Sequence, residues 1–273
     1  MNRRSRIFPM GRSALALTVI IIALAACSST PSSSSGASGA TGAQRTLIVG
    51  TSNDAPFAFH DAGGTSLKGI DGQMIEAIAK SKGWKIQIYD TDFASLIPAL
   101  QAKKIDVVVD AMYITAKRQA VVNFTNPWYS EGEGIVTRSD TSGITGAADL
   151  KGKAIGAQTG TVYLDYAKTL GASSLKVFDS QAALLQALQN KQVDAVVTDS
   201  AVAGYAIAKD PKMGLKLLLP NPPHFPGTIG AAVRKDDTAL LAELNDGLAA
   251  LKKSGEDLTI LKEYGLGEAN RAK

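Results

Sequence analysis

The chain has 273 residues, of which 20% are charged and 45% are hydrophobic, and its formal net charge is +4. Four arginines within the first 26 residues account for that excess, so the rest of the sequence carries 25 basic and 25 acidic residues. A formally neutral chain without a basic stripe does not fit a nucleic-acid-binding protein, and we expect no nucleic-acid partner.

The N-terminus has the pattern of an export signal. A basic segment (2–12) precedes an apolar run (14–26) that is marginal for crossing a bilayer, which favours a cleaved signal peptide over residues 1–26. The run ends in LAAC, which resembles a bacterial lipobox, and Cys27 is the only cysteine. We expect a lipid on Cys27 and attachment to the extracytoplasmic face of the cell membrane; the alternative is a plain signal peptide with an incidental cysteine. With Cys27 used in this way, no disulfide framework remains.

The next segment is rich in serine and glycine and has almost no charge. Such a composition cannot repay the entropy that ordering costs. Residues 27–44 are therefore predicted to form a flexible, lipid-anchored linker.

From residue 45 onward, predicted strands alternate with predicted helices. Apolar runs and helical spacing give, in the first half, a strand at 47–49, a helix that ends at Gly83, a strand at 86–88, a helix at about 94–102 and a buried strand at 107–109. In the second half they give a strand at 154–157, a helix at about 163–170, a strand near Val177, a helix at 182–189, a strand at 229–233 and an amphipathic helix at 239–252.

An internal repeat divides this pattern into two. The segment ALQAKKIDVVV (99–109) recurs as ALQNKQVDAVV (187–197), at a constant offset of 88 residues. One copy in each half favours two lobes of like construction over a single sheet, with chance similarity as the alternative. Acids end both strands, Asp110 in one copy and Asp199 in the other. Because ligands of open α/β sheets lie beyond the carboxyl ends of strands, both acids are candidates for a binding site.

A two-lobed chain must cross between its lobes. We assign residues 45–134 plus 232–269 to the first lobe and residues 139–226 to the second. The crossing strands are then expected near 135–138 and 227–231, where they form a hinge.

Seven motifs occur in a characteristic order over about 220 residues. They are GTSNDAPFAF (50–59), GIDGQMIEAIAK (69–80), TDFASLIPALQAKKIDVVVDAMYITAKR (91–118), FTNPWYSEG (124–132), DLKGKAIGAQTGT (149–161), VDAVVTDS (193–200) and IGAAVRKDD (229–237). From Leu47 to Leu266 the sequence resembles the extracellular solute-binding proteins (family 3) of polar amino-acid ABC transporters. The resemblance implies an α/β fold of the periplasmic-binding-protein (Venus flytrap) type, with two lobes and two crossover hinge strands.

The resemblance also implies a function. The chain would bind a polar amino acid between its lobes and deliver it to a permease and ATPase, acting as a monomer without a cofactor and without enzymatic activity. No phosphate-binding loop of the G-x-x-x-x-G-K-[ST] type is present in the sequence. No His, Cys and carboxylate cluster has the spacing of a metal site, so none is expected.

Several site residues follow from the motifs. Arg118 occupies the place where the family keeps an arginine for the α-carboxylate of the ligand, and a guanidinium suits that task because it stays charged and binds with two parallel hydrogen bonds. Asp199 matches the family's acid for the α-amino group. Phe93 matches an aromatic residue that packs over the ligand side chain, whereas Ala111 and Met112 are implied to offer backbone groups.

The start of a predicted helix in the second lobe is a further candidate. Thr161 and Val162 open that helix, and free amides at a helix start attract anions. The Thr161 hydroxyl could add a hydrogen-bond donor. A plain helix N-cap is the alternative for Thr161.

Three positions depart from the family's pattern. Asp54 stands where an aromatic residue is common, and Asp110 and Tyr113 stand where small residues are common. If Asp54, Asp110 and Asp199 all face the cleft, a cationic group on the ligand would offset the cost of burying them. This favours a basic amino acid or another amine-rich solute, with Tyr113 as a candidate for the missing aromatic wall. Alternatively, Asp54 only caps a turn.

Two other classes of function use similar sequences. A periplasmic-type dehydratase of cyclohexadienyl acids would need an acid in the cleft, for which Glu131 and Glu133 are available. A receptor would present its ligand to a membrane sensor instead of a permease. Neither has a specific motif in its favour.

Overall fold

The computed structural model describes residues 44–220 and 222–272. The predicted signal peptide, Cys27 and all of the linker except Gln44 lie outside the described residues. The strands are β1 (Thr46–Thr51), β2 (Lys85–Asp90), β3 (Val107–Val108), β4 (Asn123–Phe124), β5 (Tyr129–Glu131), β6 (Glu133–Arg138), β7 (Ala154–Gln158), β8 (Ser174–Phe178), β9 (Ala195–Asp199), β10 (Leu215–Leu218), β11 (Gly227–Ile229) and β12 (Ala232–Val233). The α-helices are α1 (Ile70–Lys82), α2 (Leu96–Gln101), α3 (Ala116–Gln119), α4 (Val162–Ala167), α5 (Gln181–Gln189), α6 (Ser200–Lys209), α7 (Thr238–Ser254) and α8 (Glu256–Glu263).

The first lobe is built on a five-stranded sheet in the order β2-β1-β3-β12-β4. Strands β2, β1 and β3 are parallel, and β12 runs antiparallel to both of its neighbours. Helix α1 packs one apolar face in the core of this lobe through Met74, Ile75 and Ile78, which are at most 1% exposed. It ends at Lys82, where Gly83 adopts the left-handed conformation (φ 69°) that a glycine allows, so the predicted helix end is confirmed.

The second lobe is built on another five-stranded sheet, in the order β10-β6-β9-β7-β8. Strands β8, β7 and β9 are parallel, whereas β6 runs antiparallel to β9 and β10 antiparallel to β6. The fold is therefore the two-lobed α/β arrangement that the sequence predicts.

The internal repeat is a structural repeat. In each copy a helix ends, one lysine adopts a left-handed conformation (φ 60° at Lys103 and 59° at Lys191), and a buried strand follows. In each copy an aspartate ahead of the strand accepts a backbone hydrogen bond of 2.9 Å from the neighbouring parallel strand: Asp106 from Ile48 and Asp194 from Ala154. Two lobes of like construction are confirmed.

The chain crosses between the sheets at a separate two-stranded sheet, in which β5 pairs antiparallel with β11. One strand leads from the first sheet to the second, and the other leads back. The expected crossing at 135–138 is wrong, because those residues lie in β6 and pair with both β9 and β10 in the second sheet. The first crossing lies earlier, at Tyr129–Glu131.

The segment 229–233, which was predicted to be one strand, contributes to two separate strands. Ile229 ends β11 in the crossing sheet, and Ala232 begins β12 in the first lobe. The apolar run gives no local mark of this change of sheet. In the part of the chain that the structure describes, no helix combines the length and apolar character needed to cross a membrane.

Candidate functional site

A cleft lies between the two lobes. It is lined by residues from both lobes. They are Asp54, Phe57, Phe93, Asp110, Ala111, Tyr113, Arg118, Gln158, Thr161, Val162, Tyr163, Gln181, Asp199 and Val202. Most of the residues predicted from the motifs therefore meet in one cavity.

Arg118 occupies one side of this cleft, on the short helix α3 of the first lobe. Its Nη1 donates to the carbonyl oxygen of Tyr113 at 2.8 Å, and its Nη2 donates to that of Gly160, in the second lobe, at 3.0 Å. The guanidinium lies 5.4 Å over the ring of Phe93. Burial lowers the pKa of Arg118 to about 10, so the group stays cationic at neutral pH. It forms no ion pair with any described carboxylate.

Asp199 faces the cleft from the second lobe. It ends β9 and caps α6, where its Oδ1 accepts from the backbone N–H of Ala201 (2.9 Å) and Val202 (3.2 Å). Its Oδ2 accepts from the hydroxyl of Tyr163 at 3.0 Å. Burial raises the pKa of Asp199, although these hydrogen bonds partly oppose the shift. The carboxylate is thus held in place without a cationic partner among the described residues.

Asp54 and Asp110 share a serine at the first-lobe wall of the cleft. Asp110 is 3% exposed and accepts from the backbone N–H and the hydroxyl of Ser52 and, at 3.2 Å, from the hydroxyl of Thr51. Asp54 also accepts from the Ser52 hydroxyl, at 3.0 Å. Burial raises the pKa of Asp54 to about 6. Burial and the neighbouring Asp54 raise the pKa of Asp110 well above its usual value.

The backbone turns sharply after β3. Ala111 adopts a left-handed conformation (φ 47°), which is costly for a residue with a Cβ atom and is often found at functional sites. Its N–H donates to Asp71 at 2.6 Å, and Asp71 also accepts from the Tyr129 hydroxyl at 2.6 Å. Burial raises the pKa of Asp71 to about 6. The amide of Ala111 is therefore already bonded within the protein.

Met112 is not among the residues that line the cleft, and its contact with a ligand through backbone groups stays a prediction. Its side chain is 1% exposed and belongs to the core of the first lobe. Its carbonyl oxygen accepts from the N–H of Gly230 at 3.3 Å.

Thr161 lines the cleft, but its hydroxyl is used within the second lobe. The hydroxyl donates to the carbonyl oxygen of Gln158 at 2.8 Å and accepts from the N–H of Leu164 at 3.2 Å. The geometry is that of a helix N-cap at the start of α4, the alternative that the sequence left open. Val162 follows it and also lines the cleft.

Tyr113 joins the cleft to the crossing strands. Its hydroxyl donates to the carbonyl oxygen of Glu131 at 3.1 Å, and its ring packs edge-to-face on Tyr163, with the centroids 5.8 Å apart. A Cβ atom at Gly227 would lie 1.8 Å from the ring of Tyr113, so only glycine fits there. Tyr113 therefore forms an aromatic wall that is fixed against the hinge.

Several cleft residues were not found from the sequence. A buried chain of hydrogen bonds runs from the Thr198 hydroxyl to Gln181 (2.6 Å) and from the Gln181 amide to Gln158 (2.7 Å). Gln158 ends β7, so the same rule that selected Asp110 and Asp199 could have selected it. Nothing local in the sequence marks Phe57, Tyr163 or Val202.

No group of three His, Cys, Asp or Glu side chains within the described ranges has the arrangement of a metal site. Trp128, just before the first crossing strand, and Tyr129, its first residue, are at most 1% exposed and pack in the interior. The cleft presents one guanidinium, several carboxyl groups and aromatic walls, which suit the recognition of a small polar molecule.

The sequence from residue 47 to residue 267 matches the family model of the bacterial extracellular solute-binding proteins, family 3. The chain belongs to this family. It is 32% identical, over 230 residues, to the arginine-binding extracellular protein ArtP of Bacillus subtilis (strain 168), an alignment that covers 82% of this chain and 88% of that protein. It is 34% identical, over 189 residues, to the ABC transporter arginine-binding protein 1 of Escherichia coli (strain K12), covering 68% and 77% of the two chains.

Solved structures that resemble this chain are also binding proteins. An ancestral arginine-binding protein bound to arginine superposes with a TM-score of 0.75 at 37% identity, covering 81% of this chain and 99% of that one. An ancestral amino-acid-binding protein described as a precursor of cyclohexadienyl dehydratase superposes with a TM-score of 0.72 at 32% identity, covering 80% and 94%. These four relatives are binding proteins for solutes, as the sequence predicts for this member of the family.

Proposed function

We propose that this family member is the solute-binding component of an ABC importer and that it captures a cationic amino acid between its lobes. The observation that carries the proposal is the meeting of Arg118 and Asp199, one from each lobe, in a single cleft. Neither group has an ion-pair partner among the described residues. A zwitterion supplies the opposite charge for both, and burial without such a partner is costly.

The two ends of the ligand are distinguished by charge. The guanidinium of Arg118 receives the α-carboxylate, since two of its donors are held by carbonyl oxygens and others remain for a carboxylate. The Oδ2 atom of Asp199, which accepts from the Tyr163 hydroxyl, receives the α-ammonium group. The ligand then bridges both lobes.

The side chain of the ligand is proposed to carry a positive charge. Among the described residues, Asp54, Asp110 and Asp199 line the cleft together with one cationic side chain, that of Arg118. A ligand cation near Asp54 would hold that carboxyl ionised and reduce the cost of burying it. The names of the relatives from B. subtilis and E. coli support arginine as the first candidate.

Ligand binding is proposed to stabilise a closed arrangement of the lobes. A ligand that contacts both lobes binds the closed form more tightly than the open form and shifts the population towards closure. The crossing strands β5 and β11 are the segments that such a movement would bend. The closed form would then present the ligand to a permease and its ATPase, with Cys27 as the proposed lipid anchor at the cell surface.

Isothermal titration calorimetry of the purified protein tests this function. The panel holds L-arginine, L-lysine, L-histidine, L-glutamine, L-glutamate and a diamine. We expect the tightest binding for a cationic amino acid and the weakest for glutamate. Absence of binding to every member of the panel contradicts the proposal, whereas preference for an uncharged amino acid contradicts only the cationic assignment.

The dehydratase function is favoured by one observation, the likeness to the precursor of cyclohexadienyl dehydratase. An acid for that reaction would have to reach a substrate in the cleft, but neither Glu131 nor Glu133 lines it. We therefore propose binding without turnover. Incubation with a cyclohexadienyl acid should leave it unchanged, and formation of an aromatic product would reverse this assignment.

A further inference from the structure

Four side chains meet next to the cleft, at the point where both lobes and a crossing strand come together. They are Tyr113 of the first lobe, Glu131 of β5, and Tyr163 and Asp199 of the second lobe. The Tyr163 hydroxyl lies 3.0 Å from Asp199 Oδ2, 3.0 Å from the Tyr113 hydroxyl and 3.4 Å from Glu131 Oε1. The Tyr113 hydroxyl lies 3.1 Å from the carbonyl oxygen of Glu131. We call these four residues the carboxyl-tyrosine cluster.

Counting hydrogen atoms shows that the carboxyl-tyrosine cluster is short of donors. Its four polar contacts each require a hydrogen, but the two tyrosine hydroxyls supply one each. A proton on Glu131 supplies a third, because Glu131 can then donate to Tyr163 while Tyr163 donates to Asp199 and Tyr113 donates to the carbonyl oxygen of Glu131. Only the contact between the two hydroxyl oxygens is then left without a hydrogen. With Glu131 ionised, a buried carboxylate faces another carboxylate across one hydroxyl group.

Glu131 is also poorly solvated as an anion. The residue is 6% exposed, and its Oε2 atom has no hydrogen-bond partner among the described residues. A buried charged oxygen without a partner is costly, whereas a protonated carboxyl group carries no such charge. Burial raises the pKa of Glu131 well above its usual value, and the negative charge of Asp199 raises it further.

The ionisable groups that face Glu131 and Asp199 are acids and phenols. They come from both lobes and from the crossing strand itself, and they are Asp54, Asp71, Tyr113, Tyr129, Glu133 and Tyr163. The cationic group that lines the same cleft, Arg118, points its donors to Tyr113 and Gly160 carbonyl oxygens. When no ligand cation is bound, a proton on one of the carboxyl groups is therefore the positive charge that can offset the negative charge of this cluster.

We propose that Glu131 is a positioning residue for the ammonium end of the ligand: it holds a proton in the ligand-free protein and releases it to solvent when an ammonium group binds at Asp199. This inference rests on the proposed function. The charges balance, because a neutral Glu131 beside an ionised Asp199 carries one net negative charge. Two ionised carboxylates with one bound ammonium carry the same net charge. Before the ligand binds, the proton on Glu131 thus supplies the positive charge that the ligand's ammonium group supplies afterwards.

This exchange makes ligand affinity depend on pH. Below the pH at which ligand-free Glu131 ionises, binding must expel a proton. The dissociation constant therefore falls by up to about tenfold for each unit by which the pH rises. Above that pH the dependence disappears. A ligand that lacks the α-ammonium group gains nothing from expelling the proton and should bind without releasing it.

Two probes separate the ammonium end from the rest of the ligand. They are L-arginine and 5-guanidinopentanoate, which keeps the carboxylate and guanidinium of arginine but has no α-amino group. Asp54 can also release a proton when a cation binds, but both probes carry the same guanidinium and share that contribution. The difference in protons released between the two probes therefore reports the ammonium end alone.

The number of protons released is measured by titration calorimetry in buffers of different ionisation enthalpy, at several pH values. The wild-type protein should release up to one proton more with L-arginine than with 5-guanidinopentanoate. Glu131→Gln should bind L-arginine without this extra release and with a flatter pH profile. The control Glu76→Gln removes a carboxyl group that lies outside the cleft and accepts from Leu67, and it should match the wild type.

Equal proton release for the two probes in the wild-type protein overturns the inference. So does a Glu131→Gln protein that keeps both the extra proton and the pH profile. Because the comparison of the two probes on the wild-type protein needs no variant, it tests the inference even if the Glu131→Gln protein does not fold. Failure of the wild-type protein to bind either probe, or any amino acid of the panel, counts instead against the proposed function.

Discussion

The Nη2 atom of Arg118 donates a hydrogen bond to the carbonyl oxygen of Gly160, 3.0 Å away and in the other lobe. The same guanidinium is held from its own lobe by the carbonyl oxygen of Tyr113 and lies over the ring of Phe93. Three contacts, two from its own lobe and one from the other, therefore fix the direction of the guanidinium. A donor that needs no reorientation loses less entropy on binding, which raises affinity.

Replacing Arg118 with lysine should weaken amino-acid binding while leaving the protein folded. Lysine keeps the charge but cannot form two parallel hydrogen bonds or span Tyr113 and Gly160 at once. Loss of charged hydrogen bonds predicts a dissociation constant about 10- to 100-fold higher, measured by calorimetry.

The matched control is Arg138→Lys. Arg138 also donates to two backbone carbonyl oxygens, those of Leu188 and Val193, but both lie in its own lobe. Its replacement should lower the melting temperature without changing the dissociation constant. Equal affinity of the Arg118→Lys and wild-type proteins would remove Arg118 from the binding site.

Replacing Asp199 with asparagine should separate its role as the N-cap of α6 from its proposed role in binding the ammonium group. Asparagine is as good an N-cap as aspartate, so the bonds to Ala201 and Val202 can persist and the free energy of unfolding should change little. The negative charge is lost, and the dissociation constant for an amino acid should rise by about 10- to 100-fold. Asp194→Asn, which alters the repeat turn outside the cleft, should leave binding unchanged. A stable Asp199→Asn protein with wild-type affinity would contradict the role at the ammonium end.

The sequence predicted the parts of the site that depend on local pattern. The repeat at an offset of 88 gave the two lobes, and the ends of its strands gave Asp110 and Asp199. Arg118 and Phe93 followed from a resemblance to a family, not from periodicity. These residues line one cleft in the structure.

Other parts of the site depend on long-range approach and leave no local mark. Tyr163 and Glu131 are 32 residues apart in sequence, and only the folded lobes bring their side chains together. The position of the hinge was wrong because the buried run at Ile135 and Val136 has the same apolar character whether it crosses between lobes or joins a sheet. Met112 was predicted from the family resemblance alone, and its side chain packs in the core of the first lobe.

Ligand-free protein should lose stability as the pH rises from about 4 to about 7, in part through Asp54. Burial raises the pKa of Asp54 from 3.8 to about 6 in the folded protein, so the folded state binds a proton more tightly than the unfolded chain does. This contribution to the free energy of unfolding is fully present below 3.8 and is lost as the pH passes 6. The difference in melting temperature between the wild-type and Asp54→Asn proteins should therefore change over this range.

Asp246→Asn is the control for this measurement, because it removes an exposed carboxylate at another site. Its melting temperature should follow that of the wild type at each pH. Saturating cationic ligand should flatten the wild-type profile, since a bound cation favours ionised Asp54. A constant difference between wild type and Asp54→Asn at every pH would show that Asp54 keeps an ordinary pKa.

Gly227→Ala should destabilise the hinge. A Cβ atom at this position would lie 1.8 Å from the ring of Tyr113, so the ring or the strand β11 must move. Overpacking of this kind costs about 1–3 kcal/mol in the free energy of unfolding, which chemical denaturation measures. Gly146→Ala is the matched control, because no atom lies within 4 Å of the added carbon. Combining Gly227→Ala with Tyr113→Ala should cost less than the two changes added separately, since the truncated side chain leaves room for the methyl group. Additive costs would mean that the Tyr113 ring is not what requires glycine at this position.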